Sequence, residues 1–158
     1  MSYWRCHYHL IWTTKNRMSA ITPDREHIVG RCIKSLSLEH GIRVHAVGMV
    51  EDHVHVALSI PPRHAVADIV QSIKGLSSRE IRKHAAGTDD GWPGWQSEYG
   101  VLTFGEQSLD RIVSYVRNQR AHHADGSEWK YLEQLREIPT SNTSTEIDAN
   151  VPERDISN

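Results

Sequence analysis

A chain of 158 residues, 38% hydrophobic and 24% charged, has room for one domain with an ordinary buried core. No run approaches the roughly 18 apolar residues a membrane span needs, and Met1-Ser2-Tyr3-Trp4-Arg5 lacks the apolar centre of a signal peptide, so a cytoplasmic protein with no membrane partner is expected. A net charge of -2 excludes a strong global positive field, so any nucleic-acid contact must come from local basic clusters.

Tyr8-His9-Leu10-Ile11-Trp12-Thr13-Thr14 is rich in aromatic and β-branched residues and reads as a first strand. It ends at the basic turn Lys15-Asn16-Arg17. Thr22-Pro23 sets a capping residue before a first-turn proline, and Ile28, Cys32, Ile33 and Leu36 recur at helical spacing until Gly41. Cys32 is thus a core residue, and with Cys6 as the only other cysteine there is no thiolate metal pattern. Residues 42–49 and 53–60 read as two strands of a hairpin turning at Glu51-Asp52.

The second of these strands carries the most informative chemistry. Successive side chains on a strand alternate between faces, so His53 and His55 share one face while Val54, Val56, Leu58 and Ile60 share the other. Two imidazoles converge on a rigid, core-anchored element, which is half of a metal site. With 11 histidines in the chain such a pair is weak evidence alone, and His7-Tyr8-His9 is a second one.

Pro61-Pro62 closes that strand, and Val66, Ile69, Val70, Ile73, Leu76 and Ile81 mark a long amphipathic helix bearing Lys74, Arg79, Arg82 and Lys83. A polar loop over 87–94 leads to the aromatic segment Trp95 to Tyr99 and a short strand ending near Phe104. Ser108 is a candidate cap for a further helix with Leu109, Ile112, Val113 and Val116 on one face. A last short helix is predicted near 128–136. From Ile138 onward the chain is polar, with Glu146, Asp148, Glu153 and Asp155 against Arg154 alone. The organisation expected is one domain over 1–137 and an acidic, disordered tail over 138–158.

The element order strand, helix, strand, strand, helix, strand predicts an α+β fold. By analogy it is a ferredoxin-like or RRM-like antiparallel sheet backed by helices, followed by a C-terminal helix that bears a tyrosine. On that last helix Tyr115 and Gln119 stand one turn apart, on the shoulder of the apolar stripe, where a side chain can still reach a cleft. A tyrosine so placed is more often a packing residue than a nucleophile.

Five segments in this order change that balance: the first strand with Lys15, Asp52-His53-Val54-His55, Gln71-Ser72-Ile73-Lys74-Gly75-Leu76-Ser77-Ser78-Arg79, Trp95-Gln96-Ser97-Glu98-Tyr99-Gly100 and Tyr115-Val116-Arg117-Asn118-Gln119. Together, over about residues 3 to 123, the chain resembles the single-tyrosine HUH transposases of IS200-like insertion sequences, with the REP-associated tyrosine transposases as relatives.

The resemblance implies a metal-dependent enzyme that cleaves and rejoins single-stranded DNA at hairpin-bearing element ends through a 5′-phosphotyrosine. Tyr115 would be the nucleophile, and His53, His55 and Gln119 the metal ligands. Mg²⁺ is the ion the family implies, and Mn²⁺ suits the softer donors. The implied partners are hairpin-bearing single-stranded DNA and a second copy of the chain in a homodimer. In family-like segments Lys15, Arg17, Lys74, Arg79, Arg82 and Lys83 are placed to meet phosphates, and Trp95 or Tyr99 to stack on an unpaired base. His7, His9 and His45 are set aside as structural, and His122 and His123, close enough to Gln119 to touch metal or phosphate as well, are read as solvent-facing. Two alternatives remain open: a domesticated hairpin-binding protein that does not cut, and a small metal hydrolase using His53 and His55.

Overall fold

The structure, a computed structural model, describes residues 2–86, 91–130, 132, 133 and 135. Strands β1 (His7–Thr13), β2 (Arg43–Met49), β3 (His53–Ser59) and β4 (Gly100–Phe104) pair antiparallel in the spatial order β2-β3-β1-β4. Helix α1 (Pro23–His40) connects β1 to β2, and α2 (Val66–His84) connects β3 to β4. Each helix therefore links strands that are parallel but separated by a third, which is the split βαβ arrangement the element order predicts.

Local chemistry explains the boundaries. The Thr22 side chain accepts the Arg25 N–H at 3.4 Å, Pro23 opens α1, and Gly41 closes it in the left-handed region at φ 67°. The β2–β3 hairpin turns through residues 50–52, where the Val50 N–H donates to the His53 carbonyl at 3.2 Å.

Both faces of the sheet are covered. On one, Leu10, Trp12, Val54, Val56 and Leu58 join Ile28, Val29 and Ile33 of α1 and Ile69, Val70 and Ile73 of α2 in the main core. On the other, Ala46 and Ala57 meet Ile112, Tyr115 and Val116 of α3 (Leu109–Arg117). β3 is buried along its whole length, so the alternation read in its sequence separates two interiors, one apolar and one holding His53 and His55.

The last helices depart from expectation. A single helix through Tyr115 and Gln119 breaks at Asn118 (φ −99°, ψ 23°) into α3 and α4 (Gln119–Asp125). Ser108 makes no capping hydrogen bond; it ends a 3-10 turn, Glu106–Ser108, that runs straight into α3. Of the helix predicted near 128–136, the described residues form a turn in which the Leu132 and Glu133 N–H groups donate to the Trp129 carbonyl at 2.8 and 3.3 Å. The acidic tail and residues 87–90 of the polar loop lie outside the described residues.

Gly48 of β2, paired with His55, is where this helix pair touches the sheet. A Cβ there would overlap the Val116 carbonyl oxygen and lie 2.8 Å from Gln119 Cγ, so only glycine lets the backbones approach this closely. Gly48→Ala should therefore cost about 1–3 kcal/mol in urea unfolding. Gly75→Ala, which meets nothing within 4 Å in α2, should instead be neutral or stabilising by roughly 0.5–1 kcal/mol.

Candidate active site

β3 carries His53 and His55 into the interior between the sheet and the helices α3 and α4, and each imidazole is held from behind through Nδ1. His53 Nδ1 donates to Asp52 Oδ1 at 2.5 Å, while Asp52 Oδ2 accepts from Arg17 Nε at 3.0 Å. Burial alone would raise the Asp52 carboxyl, but His53 and Arg17 outweigh it and hold it below its usual range. His55 Nδ1 shares a hydrogen with His9 Nε2 across 2.8 Å. Burial, then His55, pushes the His9 imidazole down to about 3, so it is neutral. Burial also lowers His55, against the pull of Glu133.

The front nitrogens face one space. His53 Nε2 lies 3.6 Å from Glu133 Oε2, and His55 Nε2 lies 3.2 Å from Glu133 Oε1. Neither contact has hydrogen-bond alignment, and His123 Nε2 and Gln119 Oε1 are also buried without a partner. The His123 ring packs edge-on against His53 at 4.6 Å, and its Nδ1 lies 2.9 Å from Glu128 Oε1. One donor atom from each of His53, His55, His123 and Glu133 falls within 4.8 Å of all the others.

Such a set of orphaned lone pairs beside a carboxylate is costly to bury unless a cation satisfies it. The donors fit a divalent metal. Imidazole nitrogens with carboxylate and amide oxygens suit Mn²⁺ better than the all-oxygen shell Mg²⁺ prefers.

Tyr115 is brought to the same space from α3. Its hydroxyl donates to Glu133 Oε1 at 2.6 Å and accepts the Trp129 N–H at 3.0 Å. Its ring lies between His122 and Trp129, each stacked at 4.7 Å, and edge-on to His55 at 6.1 Å. Burial first, then the Glu133 hydrogen bond, raise the phenol well above its ordinary value, with Trp129 and Gln119 pulling more weakly the other way. Gln119 is buried one turn on, its Nε2 donating to the Tyr115 carbonyl at 3.4 Å.

The four residues singled out from sequence thus gather in one place, with two differences. Tyr115 is 2% exposed rather than poised on an open shoulder, because Trp129, Leu132 and Glu133 pack against it. His122 and His123 are not solvent-facing: the break at Asn118 turns one onto the phenol and the other onto His53. His9, set aside above as structural, also joins the cluster, as do Trp129 and Glu133. No local pattern marks Trp129 or Glu133, whereas His9 could have been found from strand pairing, because it lies diagonally across β1 and β3 from His55.

The basic residues divide into groups. Lys15, Lys74 and Arg82 line a cleft of about 790 Å³ between α2 and residues 93–99, together with Trp95 and Tyr99. Trp95 is anchored there by its Nε1 donating to Ser77 Oγ at 2.9 Å. Arg17 is paired with Asp52 behind His53, and Arg79 and Lys83 lie exposed on α2 outside the cleft lining.

Residues 2–119 match the family described as "Transposase IS200 like". The chain belongs to the IS200-like transposase family. It is 29% identical to the ISDra2 transposase TnpA of Deinococcus radiodurans over 115 residues, covering 71% of this chain and 82% of that one. It is 26% identical to the IS200 transposase of Salmonella typhimurium over 119 residues, covering 73% and 78%.

Among solved structures, a crystallised candidate transposase from Deinococcus radiodurans R1 is similar at TM-score 0.59 and 28% identity, covering 75% of this chain and 95% of that one. A REP-associated tyrosine transposase bound to a REP hairpin shares the fold at TM-score 0.59 and 16% identity, covering 78% and 74%. This transposase-family chain is therefore a member of a group of DNA-cleaving enzymes, and no helix among its described residues is long and apolar enough to cross a membrane. His123, Trp129 and Glu133 all lie beyond the family match, which ends at Gln119.

Glu133 gives the site its pH signature. Burial raises its carboxyl, but the neighbouring His55, then Tyr115 and His53, overcome this and hold it at about 2 against an ordinary 4.5. A depressed carboxyl stabilises the fold above its unfolded pKa and loses that contribution as pH falls toward the folded one. In chelator-treated protein, urea unfolding at stepped pH should show Glu133→Gln less acid-sensitive than the parent between pH 4.5 and about 2. Absorbance titration in alkali should show its Tyr115 ionising earlier.

Proposed function

We propose that this transposase cleaves and rejoins single-stranded DNA at hairpin-bearing ends, with Tyr115 as nucleophile and His53, His55 and Gln119 as ligands of a divalent cation, Mg²⁺ or Mn²⁺. The observation that carries the reading is that one chain brings the Tyr115 hydroxyl and both front imidazole nitrogens onto the same carboxylate, Glu133. His123 and Glu133 extend the donor set. A cation bound there would supply positive charge to the non-bridging oxygens of a scissile phosphate.

The work of this chain's own residues is to position and to release. Asp52 and His9 hold the two imidazoles from behind. The Tyr115 oxygen attacks phosphorus, the bond to the 3′ oxygen breaks, and the strand is retained as a 5′-phosphotyrosine with a free 3′-hydroxyl on the departing side. Resealing is the reverse attack, and needs no nucleotide because the phosphate ester is conserved.

A phenol of ordinary pKa is only about one part in a thousand phenolate at pH 7. Glu133, itself a weak base at about 2, holds Tyr115 protonated, so the Glu133 and Trp129 contacts must yield before attack. Lys15, Lys74 and Arg82 in their cleft, and Arg17, Arg79 and Lys83 outside it, are the cations offered to the DNA backbone, and Trp95 and Tyr99 offer stacking faces. A relative that carries a REP hairpin supports hairpin DNA as the ligand. The homodimer expected from the resemblance is not needed to bring phenol and imidazoles together, since a single chain supplies both.

Incubation with hairpin-bearing single-stranded DNA, varied in its flanks, and Mn²⁺ should yield a protein–DNA adduct that survives denaturation. Tyr115→Phe and chelation should each abolish it, and His53→Ala or His55→Ala should lower its rate by at least about 100-fold. Adduct from Tyr115→Phe would exclude this nucleophile. The capped phenol favours, as a second reading, a binding module that does not cut; salt-sensitive hairpin binding with no adduct on any flank would support it.

A further inference from the structure

His9 stands where packing alone gives no reason for an imidazole. It is fully buried on β1, flanked across the sheet by Ala57 on β3 and Leu102 on β4, both part of the apolar layer beneath α3. Its Nδ1 has no hydrogen-bond partner. Its Nε2 makes one contact, at 2.8 Å, with His55 Nδ1. A leucine would fill such a place without leaving a polar atom orphaned in an apolar interior.

We propose that His9 is a positioning residue for the metal ligand His55: its Nε2 accepts the His55 Nδ1–H and so fixes the tautomer in which His55 Nε2 turns a lone pair toward a divalent cation. This rests on the reading of His53 and His55 as ligands.

The geometry has an internal comparison. His53 is held by the same ring atom, Nδ1, but its acceptor is the carboxylate of Asp52. Ligand histidines commonly give their outer N–H to such a partner, which sets the ring's orientation and tautomer. On β3 the turn supplies Asp52 one residue before His53, whereas His55 lies two residues further into the sheet, where only a neighbouring strand can reach its outer nitrogen. Antiparallel pairing sets Ile11 opposite His55, and His9, two residues away on the same face, is the diagonal neighbour. An imidazole there is long enough to meet His55 and adds no negative charge to a sealed interior. The two ligands are thus oriented by unlike groups, one anionic at the sheet's end and one neutral at its centre.

The test uses the full chain with Mn²⁺ as the probe, binding read by calorimetry and by electron paramagnetic resonance, and stability by urea unfolding of the metal-free protein. His9→Leu should fold at least as stably as the parent yet bind Mn²⁺ about 10- to 100-fold more weakly. His9→Gln, whose amide oxygen can accept the same hydrogen, should recover part of the affinity.

Parent-like affinity in His9→Leu, with binding lost in His55→Ala, would overturn the role of His9 and leave the ligand reading intact. Parent-like affinity in both His53→Ala and His55→Ala would overturn the ligand reading, and the role of His9 with it. If His9→Leu does not fold, the histidine is needed for packing, and His9→Gln then decides: affinity as low as that of His55→Ala overturns the positioning role.

Discussion

The site depends on one constraint, the antiparallel pairing of β1 and β3 at the centre of the sheet. That register sets Thr13 opposite His53 and Ile11 opposite His55. Because side chains alternate along a strand, it also determines that His9, His53 and His55 share the face beneath α3 while Leu10, Val54 and Val56 fill the core beneath α1 and α2. A slip of one residue would exchange the two sets, burying imidazoles in the larger core and exposing valines to the site. The main core therefore enforces the position of the polar residues on the opposite face.

The second layer is built by close approach. Gly48 admits the Val116 carbonyl against β2, and this brings both Tyr115 and Gln119 onto the sheet. The backbone break at Asn118 then redirects α4, so that His122 and His123 enclose the phenol and the His53 ring. A straight helix would continue the apolar stripe of α3 and carry these two rings in other directions.

Two carboxylates bracket the imidazoles with different consequences. Asp52, partly exposed and paired with Arg17, holds His53 from outside. Glu133 stands in front, touching the phenol and both front nitrogens, and its lowered pKa follows from that convergence of partners. The same contact that gathers the site also keeps Tyr115 a neutral phenol. Trp129 and Glu133 thus both build this cluster and cap the phenol.

Periodicity along the chain was enough to place the strands, the two long helices, the Thr22 cap and Gly41 stop of α1, and the shared face of His53 and His55, because each depends on neighbours within a few residues. The ordered motifs likewise pointed to the transposase family and to Tyr115 and Gln119. Local pattern did not show the break at Asn118, the failure of Ser108 to cap, or the burial of Tyr115, each of which depends on what packs against the segment from far along the chain. Nor did it show that His9 meets His55 across 46 positions or that Glu133 meets Tyr115 across 18. Amino-acid order by itself determined the family and which face of their strand His53 and His55 occupy. Only the folded chain decided what stands behind and in front of them, because hydrogen-bond partners in a sheet are chosen by register and helix docking rather than by proximity in sequence.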